Sequence, residues 1–149
     1  MKIISLKFFS AVLAALMGCG IVATAKSFDF GKLDAKAEDV AAVCVLVNPD
    51  QYVGKKVRVI GAYFHDFENS YLFLSRDALE AYDVSSALGL PIQEKSLPAA
   101  ADDLESLNGC LVAVEGIVFR DGVHLGLKDV SRIFLKGRGP TNSIEVKQK

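Results

Sequence analysis

The chain has 149 residues and a formal net charge of −1, with 23% charged and 51% hydrophobic residues. This composition is typical of one globular domain with its own hydrophobic core, and it excludes a disordered chain. A weakly acidic domain lacks the basic surface that dominates affinity for nucleic acid, and the composition therefore argues against a nucleic-acid partner.

The first 25 residues have the three-part pattern of a secretory signal. Lys2 and Lys7 provide a positive start, Phe8 to Met17 is apolar and uncharged, and small residues follow. We therefore interpret residues 1–25 as a signal peptide and expect a periplasmic or secreted protein. Loss of the two lysines changes the formal net charge from −1 to −3. An uncleaved signal would instead attach the protein to the membrane, because its uncharged stretch is just long enough to span a bilayer.

Two processing routes remain open at the end of this segment. Residues 23–25 read Ala-Thr-Ala, which is typical of a cleavage site before Lys26. Residues 16–19 read Leu-Met-Gly-Cys and resemble the lipobox of bacterial lipoproteins. That resemblance implies lipidation of Cys19 and attachment of the mature protein to a membrane through this residue.

Two cysteines, Cys44 and Cys110, remain after removal of residues 1–25. An oxidising compartment favours a disulfide between them. Each also lies in an apolar pattern, where a free cysteine packs as a small hydrophobic residue, so both alternatives stay open. The chain has no C-x-x-C motif, and the sequence therefore predicts neither a redox motif nor a zinc knuckle.

The mature chain begins with residues 26–36, which are polar with isolated apolar positions and which we interpret as a leader. Residues 38–48 follow with apolar side chains at helical spacing, which predicts a short helix that Pro49 should end, and the many β-branched residues leave a strand as the alternative. The side chains that set this spacing are Val40, Val43, Cys44 and Val47.

Alternating apolar and polar residues then predict a series of strands. Val57 and Val59 alternate with Lys56 and Arg58 in the first strand, and Gly61 marks a bend within it. The predicted second and third strands cover residues 71–75 and 84–92, with a helical turn or a loop at 76–82 between them.

The second half of the domain begins with a short helix at residues 102–107, preceding a fourth strand at 110–119. Asp121 and Gly122 predict a tight hairpin, because both residue types accept a positive φ. A fifth strand at 123–135, with a break near residues 128 and 129, completes the pattern. Residues 137–149 are interpreted as a flexible tail.

Two segments share the pattern G-x-x-V-x-V-x-G, namely residues 54–61 and 109–116. They are the predicted first and fourth strands, which lie side by side when a five-stranded barrel closes. The order of three strands, a helix and two strands is that of an OB-fold. We therefore predict a mainly β domain over residues 37–136, an OB-like Greek-key barrel of five strands. A short N-terminal helix and a short helix between strands 3 and 4 would complete it.

Residues 48–61 resemble the N-P-x-x-Y-x-G-K-x-V-x-V-x-G opening of small exported bacterial OB-like domain proteins. Residues 107–134 resemble the second half of those domains, where the same glycine and valine motif precedes a hairpin. The resemblance covers roughly residues 40–135. It implies a shape and an exported location, and no catalytic residue follows from it.

Aromatic residues on the first two strands are the strongest lead toward a function. In OB-folds this region forms a face that binds oligonucleotides, oligosaccharides or peptides, although alternation must turn about half of the side chains inward. The predicted binding residues are Lys56, Arg58, Tyr63, Phe64, Phe67 and Tyr71.

The sequence contains no strong pattern of residues that is typical of a catalytic site. His65 and Asp66 are adjacent on a strand and should point to opposite faces, and His124 stands alone in its segment. We find no nucleophile elbow, phosphate-binding loop or dinucleotide motif, and we predict no enzyme activity, metal or cofactor. The expected function is an extracytoplasmic binding or assembly module of the cell envelope, whose partner is an envelope protein or glycan. The alternatives are an exported binder of single-stranded nucleic acid or oligosaccharide, and a small metal-dependent hydrolase.

Overall fold

The computed structural model describes residues 28–66, 68–92 and 101–137. The predicted signal peptide with Cys19, the predicted binding residue Phe67 and the tail after residue 137 lie outside this part of the chain. Within it, no helix is long and apolar enough to cross a membrane.

Strands dominate the described chain, and its helices are short. The strands are β1 (Asp29–Gly31), β2 (Glu38–Asp39), β3 (Lys56–His65), β4 (Ser70–Phe73), β5 (Ala87–Gly89), β6 (Leu111–Asp121) and β7 (His124–Gly137). The helices are α1 (Ala42–Val47), α2 (Pro49–Tyr52), α3 (Arg76–Glu80) and α4 (Ala101–Glu105), with one turn of 3-10 helix at Val84–Ser86. A mainly β protein is therefore confirmed.

Five of the strands form a ring in the order β3-β4-β5-β7-β6, in which β6 also pairs with β3. The pairs are antiparallel except for β5 and β7, which are parallel and meet where Gly89 lies opposite Gly126. Val57 lies opposite Gly116, and Gly61 lies opposite Val112. The predicted pairing of the two valine-rich segments is thus confirmed.

The main core lies on the inner face of this ring. Alternation along β3 and β6 turns every second side chain inward, including Val57, Val59, Val112 and Val114, all fully buried. Complete burial of a side chain of this size contributes about 1.5–3 kcal/mol. A second core lies on the outer face of β3 and β4, where it is covered by Leu79 of α3.

The N-terminal residues that we interpreted as a leader belong to the sheet, and that interpretation is wrong for the described part of the segment. β1 pairs antiparallel with β7, and β2 pairs in parallel with β3. Phe28 and Phe30 pack against the main core. Two of the isolated apolar residues of this polar segment, Phe28 and Phe30, are therefore anchors, and their partial burial helps to hold it on the sheet.

The predicted N-terminal helix exists but is shorter, and its buried face differs from the prediction. α1 buries Ala42 and Val45, whereas Val43, Cys44 and Val47 are exposed. Pro49 does not simply end this helix, because it also opens α2 at its first turn, where a missing N–H costs nothing.

The third strand is also shorter than predicted, since β5 has three residues and a 3-10 turn occupies the start of the predicted range. The hairpin is confirmed: Asp121 lies opposite His124, and Gly122 has a φ of +58°. The expected irregularity of the last strand is a shift in register against β6 at Gly116. Asp129 adopts a positive φ there.

Candidate functional site

The predicted aromatic binding face is not an exposed platform. Tyr63 is fully buried in the main core, and Phe64 is buried in the second core. Tyr71 is half-buried beside Phe73 and Tyr82. Tyr63 points inward by strand alternation, whereas Phe64 points outward and is covered because α3 packs over it. The prediction that Tyr63 and Phe64 offer a surface to a ligand is therefore corrected.

The environment of Tyr63 agrees with a packing role. Burial raises the pKa of its hydroxyl, an effect that Ser70 opposes only in part. Its ring stacks on the imidazole of His65, with ring centroids 6.3 Å apart. His65 in turn places Nδ1 2.7 Å from the Ser70 hydroxyl.

The two predicted cationic binding residues are engaged by carboxylates of this chain. Lys56 Nζ lies 2.8 Å from Asp34, and Arg58 contacts both Asp39 at 2.9 Å and Glu115 at 2.8 Å. The hydrogen bond from Arg58 to Glu115 raises the pKa of the guanidinium. Neither cation is therefore a free contact for an anionic ligand.

Glu115 is a charged residue in the middle of β6. It is fully buried. Its carboxylate accepts hydrogen bonds from Arg58 and from the backbone N–H of Asp34 at 3.0 Å, and Arg132 lies 3.7 Å away. The burial of Glu115 was not predictable from strand alternation, because the segment that covers it is far away in sequence.

That covering segment is residues 28–39, which we name the N-terminal strap. Three aspartates, at intervals of five residues, bind it to cations on the ring. Asp29 receives two hydrogen bonds from Arg132 at 2.8 and 2.7 Å, Asp34 pairs with Lys56, and Asp39 pairs with Arg58. Arg132 and Lys56 hold the pKa values of Asp29 and Asp34, respectively, below their ordinary range. The regular spacing of these aspartates is a signal in the sequence from which the strap could have been predicted.

The remaining chemically active side chains are scattered. Both Cys44 and Cys110 are free thiols, Cys44 exposed and Cys110 half-buried, so the alternative of a disulfide between them is not realised. His124 is exposed at the hairpin. No group of three or more histidine, cysteine, aspartate or glutamate side chains in the described ranges could hold a metal ion.

A groove of about 460 Å³ opens on the outer face of the molecule. One wall is formed by residues 39–43, at the end of β2 and the start of α1. The floor and the opposite wall are formed by Arg58, Ile60 and Leu74. Large apolar side chains remain exposed here, with 44% of Val43, 46% of Ile60 and 39% of Leu74 accessible.

The groove lies at a gap along one edge of β3. β2 pairs with this edge at Val57 and Arg58, and β4 pairs with it from Ala62 to His65. Ile60 lies between these two stretches and opposite Ala113 of β6 on the other edge. The groove was not predictable from the sequence, because two elements that each cover only part of one strand create it.

Comparison with known proteins adds little. No family model matches the chain, and no curated protein matches it. A solved chain described as an aspartyl-tRNA synthetase from Leishmania major Friedlin is similar with a TM-score of 0.44 and 13% identity. The match covers 72% of this chain but only 22% of that one. A similarity at this level carries no information about function.

Proposed function

We propose that this protein is an exported, non-catalytic binding or assembly module of the cell envelope, and that its ring of strands is an OB-like Greek-key barrel. The order of the ring and the position of α4 between β5 and β6 support this architecture. The pattern of residues 1–25 supports export to the periplasm or beyond, and lipidation of Cys19 remains the alternative that would attach the protein to a membrane.

The observation that carries the binding function is the exposed apolar groove. An apolar floor with a polar rim is the usual composition of a surface that contacts another protein. Val43, Ile60 and Leu74 provide the floor and walls, and Asp39 lies at the rim. An envelope protein is therefore the partner that this site fits best.

A glycan or single-stranded nucleic acid fits the described surface less well. Binding of these ligands depends on exposed aromatic rings and, for nucleic acid, on free cations along the backbone path. Tyr63 and Phe64 are buried, and Lys56 and Arg58 are paired with carboxylates. We therefore place a protein partner ahead of both alternatives.

Site-specific photo-crosslinking in envelope preparations tests this function. A photoreactive residue at Leu74 should give discrete adducts with an envelope protein, because this side chain faces the groove. The matched control is Val84, which has a similar exposure, 42% against 39%, but does not line the groove. Absence of adducts at Leu74, or the same adducts at both positions, would contradict a binding role for this site.

A further inference from the structure

We infer that the groove binds a short extended peptide segment, which adds to the free stretch of the β3 edge between β2 and β4. The bound segment carries β-branched apolar side chains and a lysine or arginine next to Asp39. This inference rests on the proposed binding function and specifies the class of ligand that the same site accepts.

The backbone of Ile60 faces the groove. Along an antiparallel pair, neighbouring residues direct their N–H and C=O groups alternately to the two sides. The backbone N–H of Tyr63 donates a hydrogen bond to the C=O of Cys110 on the β6 side. The C=O of Arg58 accepts one from the N–H of Val40 on the β2 side. Ile60 is two residues from Arg58, so its N–H and C=O point into the groove.

The segments beside the gap do not use these two groups. Among the described residues, no backbone hydrogen bond joins Ile60 to residues 40–43 on one side or to Leu74 and Ser75 on the other. Leu74 donates its N–H to Ser86, and the Ser75 C=O accepts from Leu79 in α3. An extended peptide supplies the donor and acceptor that an open sheet edge lacks.

The side chains determine which peptide fits. Neighbours on a strand point to opposite faces, so one residue of an added segment would face the apolar side chains of Val43, Ile60 and Leu74. β-branched residues suit this position because they favour extended backbone and pack well on a pleated surface. The free edge covers only about three residues, so the bound segment must be short and must leave the groove at both ends.

Charge determines the flanking residue. The Asp39 side chain is 77% exposed, and the neighbouring Glu38 is also exposed. Arg58 also lines this end of the groove, but its charge is balanced by Glu115 and by one oxygen of Asp39. This end of the groove is therefore acidic toward solvent, and it favours a cationic residue on the peptide.

Peptide binding to the mature protein tests the inference by fluorescence anisotropy. The probe is a labelled peptide, Lys-Thr-Val-Val-Val-Thr-Lys. N-methylation of its central valine should weaken binding about tenfold, because it removes the donor for the Ile60 C=O. N-methylation of the first lysine is the matched control and should change little. Replacement of both lysines by glutamate should also weaken binding about tenfold.

Protein variants locate the site. Leu74→Lys should abolish binding of the lysine-ended peptide, whereas Val84→Lys, at a similarly exposed position outside the groove, should retain it. Unfolding in urea verifies that both variants are folded, and the peptide modifications test the groove in the unaltered protein.

Three results would overturn the inference: equal affinity for the two N-methylated peptides, no binding of the lysine-ended peptide up to about 1 mM, or a dimer in sedimentation that the Leu74 substitution abolishes and the Val84 substitution does not, which would place a second copy in the groove. If Leu74 still crosslinks to an envelope protein in those cases, the proposed function stands and only the extended ligand is wrong. Absence of specific crosslinks at Leu74 would contradict the proposed binding function itself.

Discussion

Glu115 shows how a single residue can organise an outer surface. Its carboxylate is fully buried on the outer face of β6, where it receives hydrogen bonds from Arg58 and from the Asp34 N–H. A buried charge is costly unless it is paired and hydrogen-bonded, and here the two neighbouring arginines and the strap backbone meet that requirement. The same carboxylate therefore orients Arg58 and holds the middle of the strap.

Glu115→Gln should destabilise the protein. The substitution keeps the shape of the side chain but leaves Arg58 and Arg132 without its negative charge. Removal of one partner from a buried ion pair costs about 3–5 kcal/mol, and we expect the lower end because each arginine keeps an aspartate partner. Equilibrium unfolding in urea measures the change in the free energy of unfolding.

Glu80→Gln is the matched control for this measurement. Glu80 is exposed on α3, and surface substitutions of this kind usually change stability by less than about 0.5 kcal/mol. Equal midpoints for Glu115→Gln and Glu80→Gln would show that the buried carboxylate does not hold the network together.

At the scale of elements, the ring closes where β5 meets β7. The parallel contact between them is short, with Gly89 opposite Gly126. A Cβ atom on Gly126 would overlap the carbonyl oxygen of Gly89, whereas one on Gly89 would lie 3.6 Å from the nearest carbonyl oxygen. Closure of the ring therefore requires a glycine on β7 and tolerates a side chain on β5.

Gly126→Ala should accordingly cost much more stability than Gly89→Ala. The added methyl group forces β5 and β7 apart, and an overpacked site of this kind typically costs about 1–3 kcal/mol. We expect Gly89→Ala to cost less than about 1 kcal/mol, because its Cβ makes an ordinary van der Waals contact. Parallel urea titrations of the two variants provide the comparison, and a larger loss for Gly89→Ala would show that the strands meet differently.

At the scale of the whole molecule, the N-terminal strap is held by charge pairs whose strength depends on pH. The folded protein lowers the pKa of Asp29, mainly through its hydrogen bonds with Arg132. It lowers the pKa of Asp34, mainly through Lys56. A carboxylate with a lowered pKa stabilises the folded state above its unfolded pKa, and this stabilisation is lost as the pH falls through the folded value.

The free energy of unfolding should therefore decrease as the pH drops below the ordinary aspartate pKa of about 3.9. In the double variant Asp29→Asn, Asp34→Asn, that acid-dependent decrease should be smaller, and stability at neutral pH should be lower. Urea unfolding at a series of pH values measures both effects. Asp50→Asn should retain the full decrease, since the Asp50 side chain is 90% exposed and pairs with Arg120 away from the strap. An unchanged acid dependence in the double variant would contradict this account.

Local signals in the sequence were sufficient for several elements. The hairpin at Asp121 and Gly122 follows from residues that accept a positive φ, and the pairing of β3 with β6 follows from matched patterns of valine and glycine. The candidate site was not predictable in the same way. Tyr63 and Phe64 were expected to reach a ligand, but a strand pattern cannot show that α3 will cover the outer face.

The sequence by itself determined which residues alternate along each strand, where the chain turns, and that the domain is mainly β. These properties depend on φ preferences and on side-chain period, and both are written in short stretches of chain. Only the tertiary structure decided that Glu115 is buried, that Gly126 closes the ring and that Ile60 lies in an open groove. Each of these depends on contacts between segments far apart in sequence, so the packing of the whole chain had to be known before any of them could be seen.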